Sequence, residues 1–194
     1  MSALAIKKIA AALILLMSLS AFVRAITIRP GLFYGLRKIE DAKIKAAYKE
    51  GSVFLPYIEL GFWKGLMVGA AYETAEASYG NLGIHQVPAT FQLSGLDFYL
   101  GYEFEIGKLA LFVKAGYGVY YYKQTVDYAY VQDYKVDYRQ GAIIGTAGLK
   151  FYPGKSLFFS AAVKYVSLKV KPYDSEVNLS GFRYLAGLGL SFDF

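Results

Sequence analysis

The 194-residue chain has 21 Lys and Arg against 15 Asp and Glu, 56% hydrophobic and 18% aromatic residues, 20 glycines and no cysteine. That length suits one domain, and the absence of cysteine excludes disulfides and thiolate metal sites. The 19 Tyr and 14 Phe, together with the glycines, point to strands and tight turns rather than to a helical bundle.

Residues 1–25 read as a secretory signal peptide. Lys7 and Lys8 form a positive start, Ile9–Leu19 an apolar core that ends near Ser20, and Val23-Arg24-Ala25 a cleavage site, with Ala21 as the other candidate. The apolar run is short for a membrane-spanning helix, which needs about 20 residues. Cleavage would remove Lys7, Lys8 and Arg24 and lower the formal charge from +6 to about +3, with 18 basic residues against 15 acidic. The remaining basic residues are scattered, so the chain has no nucleic-acid face.

From residue 26 onward the dominant signal is alternation with period 2. In the first segment Ile26, Ile28, Leu32, Tyr34 and Leu36 oppose Thr27, Arg29, Gly31 and Arg37. Segments at about 53–62 and 66–75 follow. In 95–104, Leu96, Phe98, Leu100, Tyr102 and Phe104 oppose Gly95, Asp97, Tyr99, Gly101 and Glu103. Segments at 109–122, 141–152 and 157–165 repeat the split. In the last, Phe182, Tyr184, Ala186, Leu188, Leu190, Phe192 and Phe194 face away from Gly181, Arg183, Leu185, Gly187, Gly189, Ser191 and Asp193. Only Leu185 departs from a small or polar second face. Eight segments of this length match tilted membrane strands of about 9–11 residues.

Short connections at Trp63-Lys64-Gly65, Glu105-Ile106-Gly107-Lys108 and Pro153-Gly154-Lys155-Ser156 alternate with longer polar ones at about 38–52, 76–90, 123–139 and 167–177. Membrane barrels have this asymmetry of periplasmic turns and outer loops. At about 3.3 Å per residue and a tilt near 45°, Tyr34, Tyr72, Tyr117 and Tyr165 lie about 14–19 Å above the turns. Phe62, Phe104, Phe151 and Phe194 fall at the turn-side ends, so the two sets form an aromatic girdle at two heights. Pro30 and Pro56 fit less well. Each removes a ladder hydrogen bond inside a strand, which predicts bulges or different strand limits there.

Alternation alone leaves the inward face open. A soluble eight-stranded ligand carrier would turn its apolar face inward. An eight-stranded interior is, however, barely wide enough for side chains, and the face rich in glycine also holds Arg29, Glu59, Glu73, Asp97, Glu103, Lys114, Lys150, Lys164 and Arg183. Both signs are present and can pair across a narrow lumen, while lipid covers the apolar face and closure satisfies the backbone. The expectation is an all-β, eight-stranded antiparallel transmembrane β-barrel with up-and-down connections over residues 26–194.

On these features, above all the final strand Tyr184-Leu185-Ala186-Gly187-Leu188-Gly189-Leu190-Ser191-Phe192-Asp193-Phe194, the chain resembles the small outer-membrane β-barrel superfamily. That superfamily includes OmpX-like, OmpW-like and opacity-type proteins and the OmpA membrane domain; here the OmpA likeness concerns the membrane part alone. The resemblance implies the outer membrane of a Gram-negative-type bacterium, contact with outer-membrane lipid and lipopolysaccharide, and recognition of the C-terminal strand by the barrel-assembly machinery.

Candidate chemistry is sparse. The one histidine, His85, lies in the loop Gly80–Pro88 with no Ser and acid placed beside it by spacing, so it reads as an exposed loop residue rather than a catalytic base. Tyr128, Tyr130, Tyr134 and Tyr138 alternate with Asp127, Asp133 and Asp137 in the third outer loop. Tyrosine-rich surfaces suit recognition, and the same alternation suits strands that project beyond the membrane. The aspartates lack the glycine and terminal glutamate of a calcium loop. The expectation is a monomer with no enzyme activity, cofactor or metal, a charge-paired lumen, and a structural or surface-interaction role. A narrow channel for small or hydrophobic solutes is the alternative, and a lipid-modifying enzyme the third reading.

Overall fold

The computed structural model describes residues 26–47, 51–62, 65–75, 78–82, 87–126, 134–171 and 176–194. The signal segment, His85, Tyr128 and Tyr130 lie outside the described residues. Eight strands form the wall: β1 (Thr27–Ile39), β2 (Gly51–Phe62), β3 (Leu66–Ala75), β4 (Val87–Ile106), β5 (Leu109–Val126), β6 (Tyr134–Phe151), β7 (Leu157–Ser167) and β8 (Gly181–Leu190). Each pairs antiparallel with the next, and β8 pairs with β1, which closes the sheet into a barrel. Phe192–Asp193 continues the pairing with β1.

At the turn end the hairpins are tight. Ile106 pairs with Leu109, so β4 and β5 are joined by Gly107-Lys108 alone, with Gly107 at φ +64°, a conformation that glycine adopts without strain. At the opposite end the strands run further than alternation suggests. The pairing of β4 with β5 extends to Ala89 and Val126, and β5 with β6 to Val126 and Tyr134. Ser78–Leu82 adds a short strand against Val87–Phe91. Much of the segments read as second and third outer loops is therefore ladder, because β-branched and aromatic residues persist there. The first outer connection holds a six-residue helix, α1 (Ala42–Ala47), whose start is capped by Asp41: the Ile44 N–H donates to its carboxylate at 3.3 Å.

Neither proline forms a bulge. Pairing of β1 with β8 lapses at Arg29 and Pro30 but keeps the same register on both sides, and pairing of β2 with β3 does the same at Leu55 and Pro56. The missing N–H interrupts the ladder locally while its neighbours hold the strands in step. The one-residue register change lies elsewhere, between Thr74 and Ser78 opposite β4.

The outward face is apolar along the membrane-height part of every strand, with Tyr34, Phe98, Leu100, Val113, Ile143 and Leu188 all more than half exposed. In water such a belt would be an aggregation surface, whereas in hydrocarbon it needs no cover. The inward face carries the buried residues. Phe33, Leu55, Phe112, Phe158 and Leu185 pack in one apolar cluster; Phe91, Leu93, Tyr120, Val166, Leu168 and Leu179 pack in a second toward the outer end.

Candidate functional site

The site is the lumen. Inward charges need room, and the register supplies it by setting glycines across from them: Glu59 opposite Gly69, Glu73 opposite Gly95, and Lys114 and Asp97 opposite Gly101 and Gly118. The Tyr120 ring uses the same space. A Cβ on Gly95 would come within 2.6 Å of that ring, and one on Gly118 within 2.7 Å.

The nine inward charges expected from the sequence form two groups. In the group nearer the turns, Glu59 accepts hydrogen bonds from Lys114, from Lys150 at 2.8 Å and from the Tyr99 hydroxyl at 3.3 Å. Lys150 also donates to Glu103 at 2.6 Å, and the Tyr152 hydroxyl donates to Glu103 at 2.9 Å. Arg29 completes this group, 3.3 Å from Glu103 and 3.8 Å from the exposed Glu105. In the outer group Lys164 bridges Glu73 and Asp97, each at 2.5 Å. Arg183 donates to Glu73 at 3.1 Å and to the Gly181 carbonyl at 3.0 Å. The Tyr120 hydroxyl lies 3.0 Å from Asp97 and 3.3 Å from Glu73.

Several bridges join strands far apart around the wall, β2 to β6 through Glu59 and Lys150 and β3 to β8 through Glu73 and Arg183. All nine residues are buried. Removing ions from water is costly unless geometry and further hydrogen bonds compensate, and here each carboxylate has at least two partners. Between the groups a cavity of about 20 Å³, lined in part by Asp97, Lys114, Thr146 and Lys164, has room for about one water. Rings line the path as well, with Lys114 4.4 Å from the Phe112 centroid and Lys150 5.0 Å from that of Phe158. Among the described residues, no group of three or more His, Asp or Glu is placed to hold a metal ion.

Sequence reasoning missed four contributors. Arg37 is buried, with its guanidinium 4.8 Å from the Phe91 ring centroid; its parity with Arg29 was the available signal. Tyr99, Tyr120 and Tyr152 supply hydroxyl groups to the carboxylates, and their positions on the charged face marked them too.

Of the girdle residues, Tyr34, Tyr72, Tyr117, Phe104, Phe151 and Phe194 are exposed on the outer surface. Phe62 and Tyr165 are half-buried. The Tyr165 ring lies tilted against that of Phe182 with centroids 5.0 Å apart, and its hydroxyl donates to Glu40 at 3.4 Å. Of the loop tyrosines, Tyr134 begins β6 and Tyr138 is half-buried beside the outer apolar cluster. These two belong to a strand rather than to a loop.

No family model and no curated protein matches the sequence. Solved structures do. The outer membrane protein OprG from Pseudomonas aeruginosa superposes with a TM-score of 0.61 at 12% identity, over 89% of this chain and 98% of that one. Neisserial surface protein A gives 0.58 at 13% identity, over 86% and 97%. The fold is that of an outer-membrane barrel. The attachment invasion locus protein of Yersinia pestis, solved in complex with the heparin analogue sucrose octasulfate, shares the barrel with a TM-score of 0.56 at 16% identity, over 87% and 99%.

Proposed function

We propose that the chain is a monomeric integral protein of the outer membrane of a Gram-negative-type bacterium, with a lumen sealed by its own ion pairs. Its role is structural or one of surface interaction, with no catalysis and no transport through the barrel. The observation that carries this reading is the pair of bridges from Glu59 to Lys114 and Lys150, which cross the lumen beside a space of about 20 Å³. A conducting path would have to break these contacts and leave buried ions unpaired. The cluster of Phe91, Leu93, Val166 and Leu168 adds an apolar layer on the outer side. The outward belt supports the membrane assignment, and the final strand supplies the segment for the barrel-assembly machinery.

Planar-bilayer recording of the purified, refolded barrel tests the reading. The expected result is a quiet bilayer across the voltage range; reproducible unitary steps would replace the sealed lumen with a narrow channel for small solutes.

A further inference from the structure

On the outward face of β5 the run Leu109, Leu111, Val113, Ala115, Tyr117, Val119, Tyr121 is uncharged, and the next outward residue is Lys123. The twelve steps from Leu109 to Tyr121, at about 3.3 Å each and tilted near 45°, rise about 28 Å, against an apolar band about 25 Å tall. Lys123 therefore stands where hydrocarbon ends and the outer headgroups begin. The same step occurs on the neighbouring strand, where Phe151 to Gly141 is uncharged on this face and Arg139 follows. Tyr121 pairs with Arg139 across the ladder, and the guanidinium lies 5.5 Å from the ring centroid, a stacking that holds the cation against the wall. Thr125 pairs with Lys135 one step further out. Lys123, Lys135 and Arg139 are all exposed. Asp137, also exposed, faces Lys123 across the same ladder, which leaves three cations against one carboxylate among the described residues of this patch. On β2 and β3 this face is uncharged up to Ser52 and Thr74.

We propose that the β5–β6 face, through Lys123 and Arg139 with Lys135 above them, binds the headgroup phosphate of an anionic lipid of the outer leaflet. The Tyr121 ring marks the interface and orients Arg139, whose planar donors suit a phosphate held in two-point contact. Lys123 contributes a mobile point charge, and the acyl chains of the same lipid would lie along the apolar belt below. The proposal rests on the outer-membrane reading.

Insertion into phosphatidylcholine vesicles, followed by heat-modifiable migration on SDS gels, tests that reading first. Failure of the wild type to insert would overturn both. With the inserted protein transferred to zwitterionic micelles, bisphosphorylated lipid A is titrated and bound lipid counted by native mass spectrometry. The K123Q/R139Q variant is expected to bind about thirtyfold more weakly, from the usual contribution of each cation near an anionic surface. K108Q/K155Q, altered at the turn end, is expected to match the wild type, as is binding in excess inorganic phosphate. Should the double variant fail to fold, K123Q and R139Q are measured singly, each with a smaller loss. Equal affinity of the variants and the wild type, equal retention of phosphatidylcholine, or displacement by inorganic phosphate would overturn the lipid site and leave the barrel reading standing.

Discussion

Along β5, Leu111, Val113, Tyr117 and Tyr121 lie open on the outside, whereas Phe112, Lys114, Tyr120 and Tyr122 from the same strand are buried in the lumen. One peptide step thus separates two environments with opposite requirements. Outside, lipid accepts any apolar shape, so Leu, Val and Tyr alternate freely and small residues are tolerated. Inside, volume is limiting, so Glu59, Glu73, Asp97 and Lys114 each lie across the ladder from a glycine. The polar face is consequently the specific one, and the apolar face is specified mainly by hydropathy.

Four measurements can break or sharpen that contrast, the first three by denaturant unfolding in phospholipid vesicles. The largest effect is expected for Glu59→Ala, which strips Lys114 and Lys150 of a shared carboxylate. A loss of about 3–5 kcal/mol is expected for a broken buried pair; a loss near that of a surface pair, under about 1 kcal/mol, would mean that lumen water carries these charges. On the other face, Ala115→Arg puts a cation near the middle of the belt and is expected to cost about 2–4 kcal/mol. If it costs nothing, the belt does not sit in hydrocarbon.

Gly95→Ala probes crowding without charge. Its Cβ would meet the Tyr120 ring at 2.6 Å, and overpacking of that kind is expected to cost about 1–3 kcal/mol. An unchanged midpoint would show that the lumen yields at this point.

The smallest effect is expected outside the wall, at the exposed pair of Lys169 and Glu176, 2.9 Å apart. Its hydrogen bond and charge contact with Lys169 hold the Glu176 carboxyl below the ordinary carboxylate range, while the same contacts raise Lys169. A lowered carboxylate value means that the contribution is complete above the ordinary range and is lost as pH falls through the lowered value. A raised ammonium value means that it is complete below the ordinary lysine range and is lost as pH climbs past the raised one. Side-chain carbon NMR of Glu176 is expected to titrate at lower pH than a free glutamate and to return toward it in high salt. A salt-independent titration would remove the pairing from solution.

Much of this architecture was legible without coordinates. Period-2 alternation is a local property, so Leu96 to Phe104 and Phe182 to Phe194 revealed their faces directly, and the tight turn at Gly107 followed from chain chemistry. Strand ends were less legible. β5 and β6 continue to Val126 and Tyr134 because tyrosines and valines favour strands equally within the membrane and beyond it. The outer apolar cluster was also hidden, since Phe91 and Leu93 on β4 meet Val166 on β7 and Leu168 just beyond it only once the sheet closes.

Sequence by itself determined which side chains share a face, and hence that Glu59, Glu73, Lys150 and Lys164 point one way while Leu100, Leu111 and Phe159 point the other. It also set the glycine content that makes a narrow interior possible. Only the closed barrel decided the partners. Glu59 meets Lys150, 91 residues away, and Glu73 meets Arg183, 110 away. Such pairs depend on strand tilt and on the stagger at which β8 returns to β1, and these are properties of closure rather than of any segment.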